Sequence, residues 1–578
     1  MRTNRLPFSR RLLIVAVITS ASAFGQSTAP AVKFPNLRAI SNLADVRLGG
    51  ELGTRYQAAT CNVLTRTDRY SLESFRADAV GDPGPLWPDW PGDQIGRYLS
   101  VLHVAYLSGW TPAPALRDEI LAVVLPLQRQ SGNFGAENPD IKDVKVISGN
   151  AFALRGLLDS YEDSRDSRTL AAARRLARFF EDSFDYYQDR GAQGSVHEFY
   201  GHCLDGLIRL YDLTGDASAL DFGERIASRA GLSAHTHHSL SMYRGVMDLY
   251  RLTGNEDYLN RTVNYLNWVH SVRAVTGGVP ENMPDYHEDE GCALADYVVV
   301  NLQVFAATGR DEYLDEAENT LVNHLFMNQF HTGGFGHRGF AQQIVGGKDW
   351  QGWEGKFGSE NPGCCSMWGQ WGLANVGKYI VTTHAKAVEL NLYPTAEIAL
   401  SQLGMRVVMQ SDFPRMREAS LTIYTDRPKA LAFRIRVPQW AEAATISVNA
   451  RNFAAPRDGQ RLVLNRTWRS GDTVKIQFQS SLRIVHWPKE DSSTMAVFDG
   501  PLCLALSNVD ANVDDDWRVA VTGEGKMVLN SMDQPVLLDG KGEAGETLHP
   551  LKEDWLSPDV SNPHRLRVLF KTAEVDSK

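Results

Sequence analysis

A helix-ending signature recurs along the first two thirds of the chain and constrains the fold more than any other feature. Apolar residues at helical spacing lead into Thr214-Gly215-Asp216, into Thr253-Gly254-Asn255 and into Thr308-Gly309-Arg310. Glycine in the left-handed conformation commonly ends a helix, and the polar residue after it can cap the next helix. Each copy therefore predicts two helices joined by a tight turn.

Stacked helical hairpins form either an open solenoid or a closed toroid. The repeats here are unequal in length and are separated by long glycine- and aromatic-rich insertions, which favours the closed form with a pocket at one end. We therefore predict a toroid of the (α/α)6 type at residues 30–385. The Cys364-Cys365 pair directly precedes a helix predicted at residues 368–382, so both thiols should lie near a helix N-terminus.

After about residue 385 the apolar pattern changes from the period of a helix to that of a strand. Apolar and other residues alternate along segments 431–437 and 474–478, and turn signals separate such segments. This pattern predicts an antiparallel β-sandwich over residues 386–578. The expected fold class is mainly α plus β, with the toroid followed by the sandwich.

Residues 1–25 are predicted to be an export signal and not part of the fold. Arginines precede an apolar run at residues 12–19, and small residues suited to cleavage follow at 21–23. The mature protein is expected in the periplasm or outside the cell, by the general or the twin-arginine route. We expect no stable membrane insertion, and the formal net charge of -10 argues against binding to nucleic acid.

Cysteines and carboxylates are concentrated between residues 276 and 365. Cys364 and Cys365 are adjacent, which disfavours a disulfide between them but allows both to bind one metal ion. Glu290 and Cys292 are two residues apart, so an extended segment can present both side chains on one side. A Cys3Glu donor set suits zinc. The spacing matches no standard zinc-finger pattern, so inert buried cysteines remain an alternative on spacing alone.

Three short motifs, in their order along the chain, resemble one known family. They are Thr276-Gly277-Gly278, Glu290-Gly291-Cys292 and Cys364-Cys365. They are similar to motifs of the bacterial β-L-arabinofuranosidases of glycoside hydrolase family 127, and the similarity extends over nearly all of the mature chain. The resemblance implies that the toroid is the catalytic domain of a retaining exo-glycosidase acting on an oligo- or polysaccharide.

The resemblance also implies that a zinc-bound cysteine takes the place of the usual carboxylate nucleophile. The zinc ligands it implies are Glu290, Cys292, Cys364 and Cys365. Cys364 is then the nucleophile, and Glu281 is the general acid/base that protonates the departing oxygen. The segment between the Gly-Gly step and Glu290 is shorter than is usual in the family, which makes Glu288 the second candidate for the acid/base.

The substrate contacts that the resemblance implies are His202, His235 and Tyr200. On the residues alone, each is also compatible with a structural role, as a capped or buried histidine or as a core tyrosine. The chain departs from the family after the cysteine pair, where Ser366-Met367-Trp368 stands in place of the usual Pro-Pro-Asn. This departure alters the wall beside the nucleophile and indicates a divergent member.

Two other functions are compatible with the sequence. One is a toroid glycosidase or lyase on another sugar, with two carboxylates among Glu281, Asp285, Glu288 and Glu290 as general acid and base. The other is a noncatalytic carbohydrate-binding protein in which zinc is purely structural, because four protein ligands are typical of a closed structural site.

Overall fold

The computed structural model describes residues 38–575 with several gaps. These gaps are residue 67 and the segments 83–89, 138–143, 190–195, 230–232, 284–288, 339–343, 346–347, 350–358, 488–493, 508–517, 525, 539–547, 551–565 and 568. The predicted export signal at residues 1–25 lies outside the described residues.

The first part of the described chain is helical. Its helices are α1 (Gly50–Leu64), α2 (Leu72–Val80), α3 (Asp93–Leu107), α4 (Ala113–Val124), α5 (Val144–Ser164), α6 (Ser167–Asp189), α7 (Val196–Thr214), α8 (Ala217–Ala227), α9 (Thr236–Thr253), α10 (Glu256–Val272), α11 (Gly291–Thr308), α12 (Glu312–Asn319), α13 (Phe326–Asn328) and α14 (Cys365–Val376). A π-helical segment, Thr320–Leu325, joins α12 to α13.

The helices form a closed ring with an inner and an outer layer. Helices α3, α5, α7, α9, α11 and α14 each pack against the next, and α14 packs back against α3. Helices α4, α6, α8, α10, α12 and α1 pack outside their inner partners. This arrangement confirms the predicted toroid.

The Thr-Gly signatures end the inner helices as predicted. Gly254 (φ 68°) and Gly309 (φ 72°) adopt the left-handed conformation at the C-caps of α9 and α11. Their N–H groups donate to the carbonyl oxygens of Tyr250 and Phe305, at 2.8 and 2.7 Å. Glycine tolerates this conformation without the steric cost that a Cβ brings.

The helix after the cysteine pair differs from its predicted bounds of 368–382. It begins at Cys365, with Cys364 as its N-cap, and ends at Val376. The β-branched residues beyond it form a strand, Val381–His384, because such side chains fit a pleated surface better than a helix. Cys365 is therefore the first residue of α14 and Cys364 is its N-cap, so both thiols lie at the N-terminus of this helix.

Helix α11 is long and apolar enough to cross a membrane by length and composition alone. In this fold it is an inner helix of the ring, and 78% of its apolar window is buried inside the protein. Its burial explains the predominantly apolar character, since an inner helix contacts other helices on all sides. This helix carries Cys292 near its first turn.

The strands of the described chain are β1 (Ala39–Ile40), β2 (Val46–Leu48), β3 (Asp289–Glu290), β4 (Gly336–Arg338), β5 (Ile344–Val345), β6 (Lys348–Asp349), β7 (Ser359–Glu360), β8 (Val381–His384), β9 (Ala387–Leu390), β10 (Ala396–Leu400), β11 (Met405–Ser411), β12 (Glu418–Thr425) and β13 (Lys429–Arg436). They continue as β14 (Ala443–Val448), β15 (Arg451–Asn452), β16 (Arg457–Asp458), β17 (Arg461–Trp468), β18 (Asp472–Gln479), β19 (Leu482–His486), β20 (Met495–Asp499), β21 (Leu502–Ser507), β22 (Arg518–Val521), β23 (Leu537–Leu538), β24 (His549–Pro550), β25 (Leu566–Arg567) and β26 (Lys571–Glu574).

Two large sheets form the sandwich that follows the toroid. One has the order β1-β8-β9-β13-β17-β16 and the other β15-β14-β18-β12-β11-β10-β2. Neighbouring strands are antiparallel except β9 and β13. Inward-facing residues of both sheets, such as Phe433 and Ile476, belong to one buried apolar cluster. Strands β1 and β2 come from the start of the described chain, a pairing that the sequence did not suggest.

Buried ion pairs join the sandwich to the toroid. Arg436 on β13 is fully buried, and its guanidinium contacts Glu318 at 3.2 Å and Asp315 at 2.5 Å, both on α12. Trp440 donates its indole N–H to Glu318 at 3.0 Å. These contacts satisfy charges that would be costly to bury alone, and they hold the outer helix against the sheets.

Candidate metal and active site

The candidate site lies where the N-terminal ends of the inner helices meet. His235 is the N-cap of α9, Cys292 is the second residue of α11, and Cys364 and Cys365 begin α14. Helix N-termini carry partial positive charge, which favours thiolates and carboxylates there. The ring therefore brings together four residues that are far apart in the sequence.

Three thiols form a compact triangle. The Sγ atoms of Cys364 and Cys365 are 3.5 Å apart, and Cys292 Sγ lies 3.9 Å from Cys364 Sγ and 4.0 Å from Cys365 Sγ. All three cysteines are free of disulfides. Cys292 and Cys365 are fully buried, whereas Cys364 is partly exposed. Cys364 is thus the thiol that a ligand can reach.

A carboxylate and an imidazole border this triangle. Glu290 Oε1 lies 3.5 Å from Cys364 Sγ. One ligand atom each from Glu290, His337, Cys364 and Cys365 lie within 4.8 Å of one another. Glu290 and His337 are directly opposite each other in the antiparallel pair β3–β4. Opposed residues of such a pair project to the same face, which explains why both reach the thiols.

The backbone before Glu290 is anchored by a buried histidine. His324 Nε2 lies 2.5 Å from Asp289 Oδ2, and His324 Nδ1 lies 2.7 Å from Thr276 Oγ1. The Asn328 side-chain amide donates to Asp289 Oδ1 at 2.7 Å. Gly278 passes so close to His324 that an added Cβ would lie 2.2 Å from its ring. The Thr-Gly-Gly motif therefore seats the histidine that positions the segment carrying Glu290.

Substitution Gly278→Ala should disturb the metal centre more than the toroid. The new methyl group would displace His324 and with it Asp289, so we expect metal affinity to fall about 10–100-fold, as for loss of an outer-shell partner. Gly215→Ala is the control, because its added Cβ meets nothing within 4 Å and only its positive φ of 71° adds a backbone strain of about 1–2 kcal/mol. Competition titration with a zinc chelator measures the zinc affinity of both variants. Equal affinity in the two variants would contradict this role for Gly278.

The donor set fits a zinc ion. In a tetrahedral site with Zn–S bonds of about 2.3 Å, thiolate sulfurs are about 3.8 Å apart, and the three sulfurs here are separated by 3.5–4.0 Å. Glu290 Oε2 is buried and makes no hydrogen bond within the described residues. Soft thiolates with a carboxylate or imidazole are a donor set typical of zinc.

Protons are unevenly distributed over the donors. Hydrogen bonds from Cys292 and Cys365 hold the pKa of Cys364 well below its usual value. Burial raises the pKa of Cys292 well above its usual value, that of Cys365 to about 12 and that of Glu290 to about 8. A divalent cation entering the cluster must therefore displace protons from these donors.

Glu281, the predicted acid/base, lies beside this cluster. The loop that carries it is fixed to the start of α9, because Thr236 N–H donates to the Glu281 carbonyl oxygen at 2.8 Å. Its carboxylate lies 3.9 Å from His235 Nε2 and 3.9 Å from His337 Nδ1. Burial lowers the pKa of His235 to about 3, so this imidazole is neutral. The alternatives Asp285 and Glu288 lie outside the described residues.

Four histidine rings pack together, and one of them, His235, lies next to Glu281. His238 lies 4.4 Å from His202 and 4.3 Å from His235 between ring centroids, and His202 lies 5.1 Å from His237. His202 is only 4% exposed, and neither of its ring nitrogens makes a hydrogen bond within the described residues. Burial lowers the pKa of His202 well below its usual value. It is a neutral imidazole with unused hydrogen-bonding capacity.

Tyr200 lies in the core of the toroid. It has no exposed surface, and its ring packs edge-on against Phe184 with centroids 5.2 Å apart. A side chain in this position reaches a sugar only if its neighbours move, so the contact that the resemblance implied stays a prediction. His235, in contrast, lies beside Glu281, and His202 belongs to the histidine group that includes it.

Buried charged residues hold His237 of this histidine group in place. Asp296 on α11 accepts hydrogen bonds from His237 Nδ1 at 2.8 Å and from the Trp368 indole at 2.9 Å. The Arg97 guanidinium lies 3.2 Å from His237 Nε2 and is held by Asp93 at 2.9 Å. His237 thus carries its proton on Nδ1, with Nε2 as the acceptor.

Family models match two parts of the chain. Residues 90–336 match the model described as the GH127 catalytic domain of β-L-arabinofuranosidase, and residues 387–480 match the GH127 middle domain. Together these segments cover more than half of the chain. The protein belongs to glycoside hydrolase family 127. The GH127 catalytic domain makes it a glycoside hydrolase with a carbohydrate substrate, as predicted.

Solved structures of GH127 enzymes have the same fold. One, described as a GH127 β-arabinofuranosidase, is 16% identical, with coverage of 93% of this chain and 98% of that chain and a TM-score of 0.70. A GH127 β-L-arabinofuranosidase from Geobacillus stearothermophilus T6 is 14% identical, with coverage of 91% and 100% and a TM-score of 0.70. No curated protein sequence matches this chain significantly.

Several residues around the site of this GH127 member were missed from the sequence. His337 stands in a glycine-rich stretch between helices, and this position in a long insertion was its only local signal. Asp289 and His324 join through a contact between distant segments, as do His237 and Asp296. No short motif links these pairs.

Proposed function

We propose that this GH127 protein is a zinc-dependent, retaining β-L-arabinofuranosidase with Cys364 as nucleophile and Glu281 as general acid/base. The observation that carries the proposal is the convergence of three free thiols with Glu290 at one point. Cys364 is the most exposed of the three thiols. The family description supports the choice of a β-L-arabinofuranoside.

The residues divide the reaction into two displacements. Cys364 Sγ forms a bond to the anomeric carbon while the bond to the leaving oxygen breaks, and Glu281 donates its proton to that oxygen. Glu281 then takes a proton from water, the water oxygen bonds to the same carbon, and the carbon–sulfur bond breaks. Two inversions retain the anomeric configuration.

Zinc, when bound by Glu290 and the cysteines, stabilises their thiolates at neutral pH. Other side chains orient the acid/base and bind the sugar. The neutral imidazole of His235 lies 3.9 Å from Glu281, so it can orient that carboxyl group without fixing it as an anion. His202 is also proposed as a sugar contact: its ring nitrogens have unused hydrogen-bonding capacity but are buried, so a sugar hydroxyl reaches them only when neighbouring rings shift.

Substitution Glu281→Gln tests the acid/base assignment. We expect kcat/KM for an alkyl arabinofuranoside to fall by about 10²–10⁴-fold, because the leaving alkoxide then departs without a proton. A nitrophenyl glycoside needs less protonation, so its glycosylation step should be much less affected. Steady-state kinetics on both substrates measure this difference.

Glu288→Gln is the matched control for Glu281→Gln. We expect it to stay within a few-fold of wild type on both substrates. The reverse pattern would transfer the acid/base role to Glu288. If Glu281→Gln and Glu290→Gln abolish activity while Cys364→Ser retains it, the paired-carboxylate mechanism replaces the cysteine mechanism.

We also propose that the protein is exported, with residues 1–25 removed. The support is the arginine-rich start, the apolar run and the small residues at 21–23. Intact mass of the protein recovered from the periplasm or medium of its host tests this proposal. A full-length mass in the cytoplasmic fraction alone would overturn it.

A further inference from the structure

His337 is held next to the predicted metal ligands by backbone pairing. It is directly opposite Glu290 in the β3–β4 pair and opposite Ser359 in the β4–β7 pair. A residue in the middle strand of a three-stranded sheet has its backbone fixed on both sides. The imidazole is therefore positioned by secondary structure and not by a free loop.

The ring of His337 lies among donor groups. Its nearest ring nitrogen is within 4.8 Å of ligand atoms of Glu290, Cys364 and Cys365. Its Nδ1 lies 3.9 Å from Glu281 Oε2, and its Nε2 lies 3.3 Å from the Asn361 amide nitrogen. The Asn361 side-chain oxygen accepts hydrogen bonds from the N–H groups of Gly363 and Cys364. The same asparagine thus contacts His337 and the turn that presents the nucleophilic thiol.

The site therefore contains one donor more than a tetrahedral zinc ion needs. Glu290 and the three cysteines already make four, and imidazole nitrogen is a zinc ligand as common as thiolate. Ligating histidines almost always donate their second ring N–H to a carboxylate or similar acceptor. Glu281 supplies a carboxylate near Nδ1 of His337, so Nε2 is the nitrogen left to bind the metal, and the metal would replace the contact of Nε2 with the Asn361 amide.

We propose that His337 is a direct ligand of the metal and shares the fourth coordination position with Glu290. This inference rests on the proposed metal site but not on the proposed sugar. It has a direct consequence for Cys364. If the Cys364 thiol is removed from the donor set, Glu290, His337, Cys292 and Cys365 still provide four donors.

X-ray absorption at the zinc edge of the full-length holoprotein tests the proposal, because an imidazole ligand gives a characteristic outer-shell scattering pattern. We expect one imidazole in the wild type and in His235→Ala, and none in His337→Ala. His235→Ala is the matched control, since His235 Nε2 lies 3.6 Å from Glu290 Oε2 and outside the thiol group. Because Glu290 and the three cysteines still supply four donors, we expect His337→Ala to retain stoichiometric zinc while losing the imidazole signal.

The outcomes separate this inference from the proposed function. Stoichiometric zinc without an imidazole signal in the wild type overturns the role of His337 and leaves the cysteine ligands intact. An imidazole signal that persists in His337→Ala, or that disappears in His235→Ala, also overturns the role of His337 as a ligand. A wild type that binds no zinc overturns both. The wild-type spectrum decides even if His337→Ala does not fold, and His337→Gln provides a second variant of similar size.

Discussion

Cys364→Ser is expected to reduce kcat/KM on an aryl β-L-arabinofuranoside by at least about 10⁴-fold, a loss comparable to removing other enzymatic nucleophiles. The serine hydroxyl remains protonated at neutral pH and is a far weaker nucleophile than a thiolate. With His337 as an additional donor, this variant should retain zinc. Steady-state kinetics and metal analysis on the same sample measure the loss of kcat/KM and the zinc content of the variant.

A covalent adduct identifies the nucleophile independently of the rate. Glu281→Gln with a nitrophenyl glycoside should accumulate a pentosyl adduct, because water then lacks a base in the second step. Peptide mass spectrometry should locate the adduct on Cys364. Cys503→Ser is the matched control, because Cys503 is a buried free cysteine of β21 that belongs to a different apolar cluster from Cys292 and Cys365. It should retain activity and adduct, and an adduct on any other residue would contradict the assignment.

Removal of zinc is expected to have the second large effect, on activity and on stability together. A ligand that binds only the folded state stabilises it by about 4 kcal/mol when its concentration is 1,000 times Kd. A strong chelator should therefore abolish turnover and lower the melting temperature by several degrees, and added zinc should restore both. Calorimetry with metal quantification measures the effect.

The double variant Cys292→Ser/Cys365→Ser distinguishes this effect from nonspecific action of the chelator. Both thiols are fully buried, and their Sγ atoms lie 4.0 Å apart. Their joint loss leaves three of the five proposed donors, so zinc binding should weaken strongly. The melting temperature of this variant should start lower and respond little to chelator. An equal response in wild type and the double variant would show that the stabilising metal binds elsewhere.

Much of the fold could be predicted from the sequence, because the signals that mark helix ends and strands are local. Thr-Gly steps predicted the ends of inner helices, and alternation along 431–437 predicted a strand that the structure contains as β13. The end of α14 was predicted six residues too late, because Ile380 and Val381 continue the apolar pattern while their β-branched side chains favour a strand. The pairing of β1 with β8 joins residues more than 300 positions apart, and no local pattern reports such a contact.

The candidate site was predicted in part for the same reason. Adjacent cysteines and the Glu-x-Cys step are short motifs with recognisable ligand chemistry. His337 approaches Glu290 only because β4 pairs with β3, and His324 approaches Asp289 through a contact between helix and loop. Strand register and helix packing decide such contacts, and neither can be predicted from the spacing of residues in the sequence.

The β3-β4-β7 ladder also bears on how this enzyme can change. Residues 339–358 connect β4 to β7, and the pairing of His337 with Ser359 fixes the two ends of that connection. The free energy of closing a loop varies only slowly with its length. We therefore expect changes in the length of this stretch to leave His337 in its place opposite Glu290. The length of this connection can therefore differ between related chains while the ladder that places His337 opposite Glu290 stays the same.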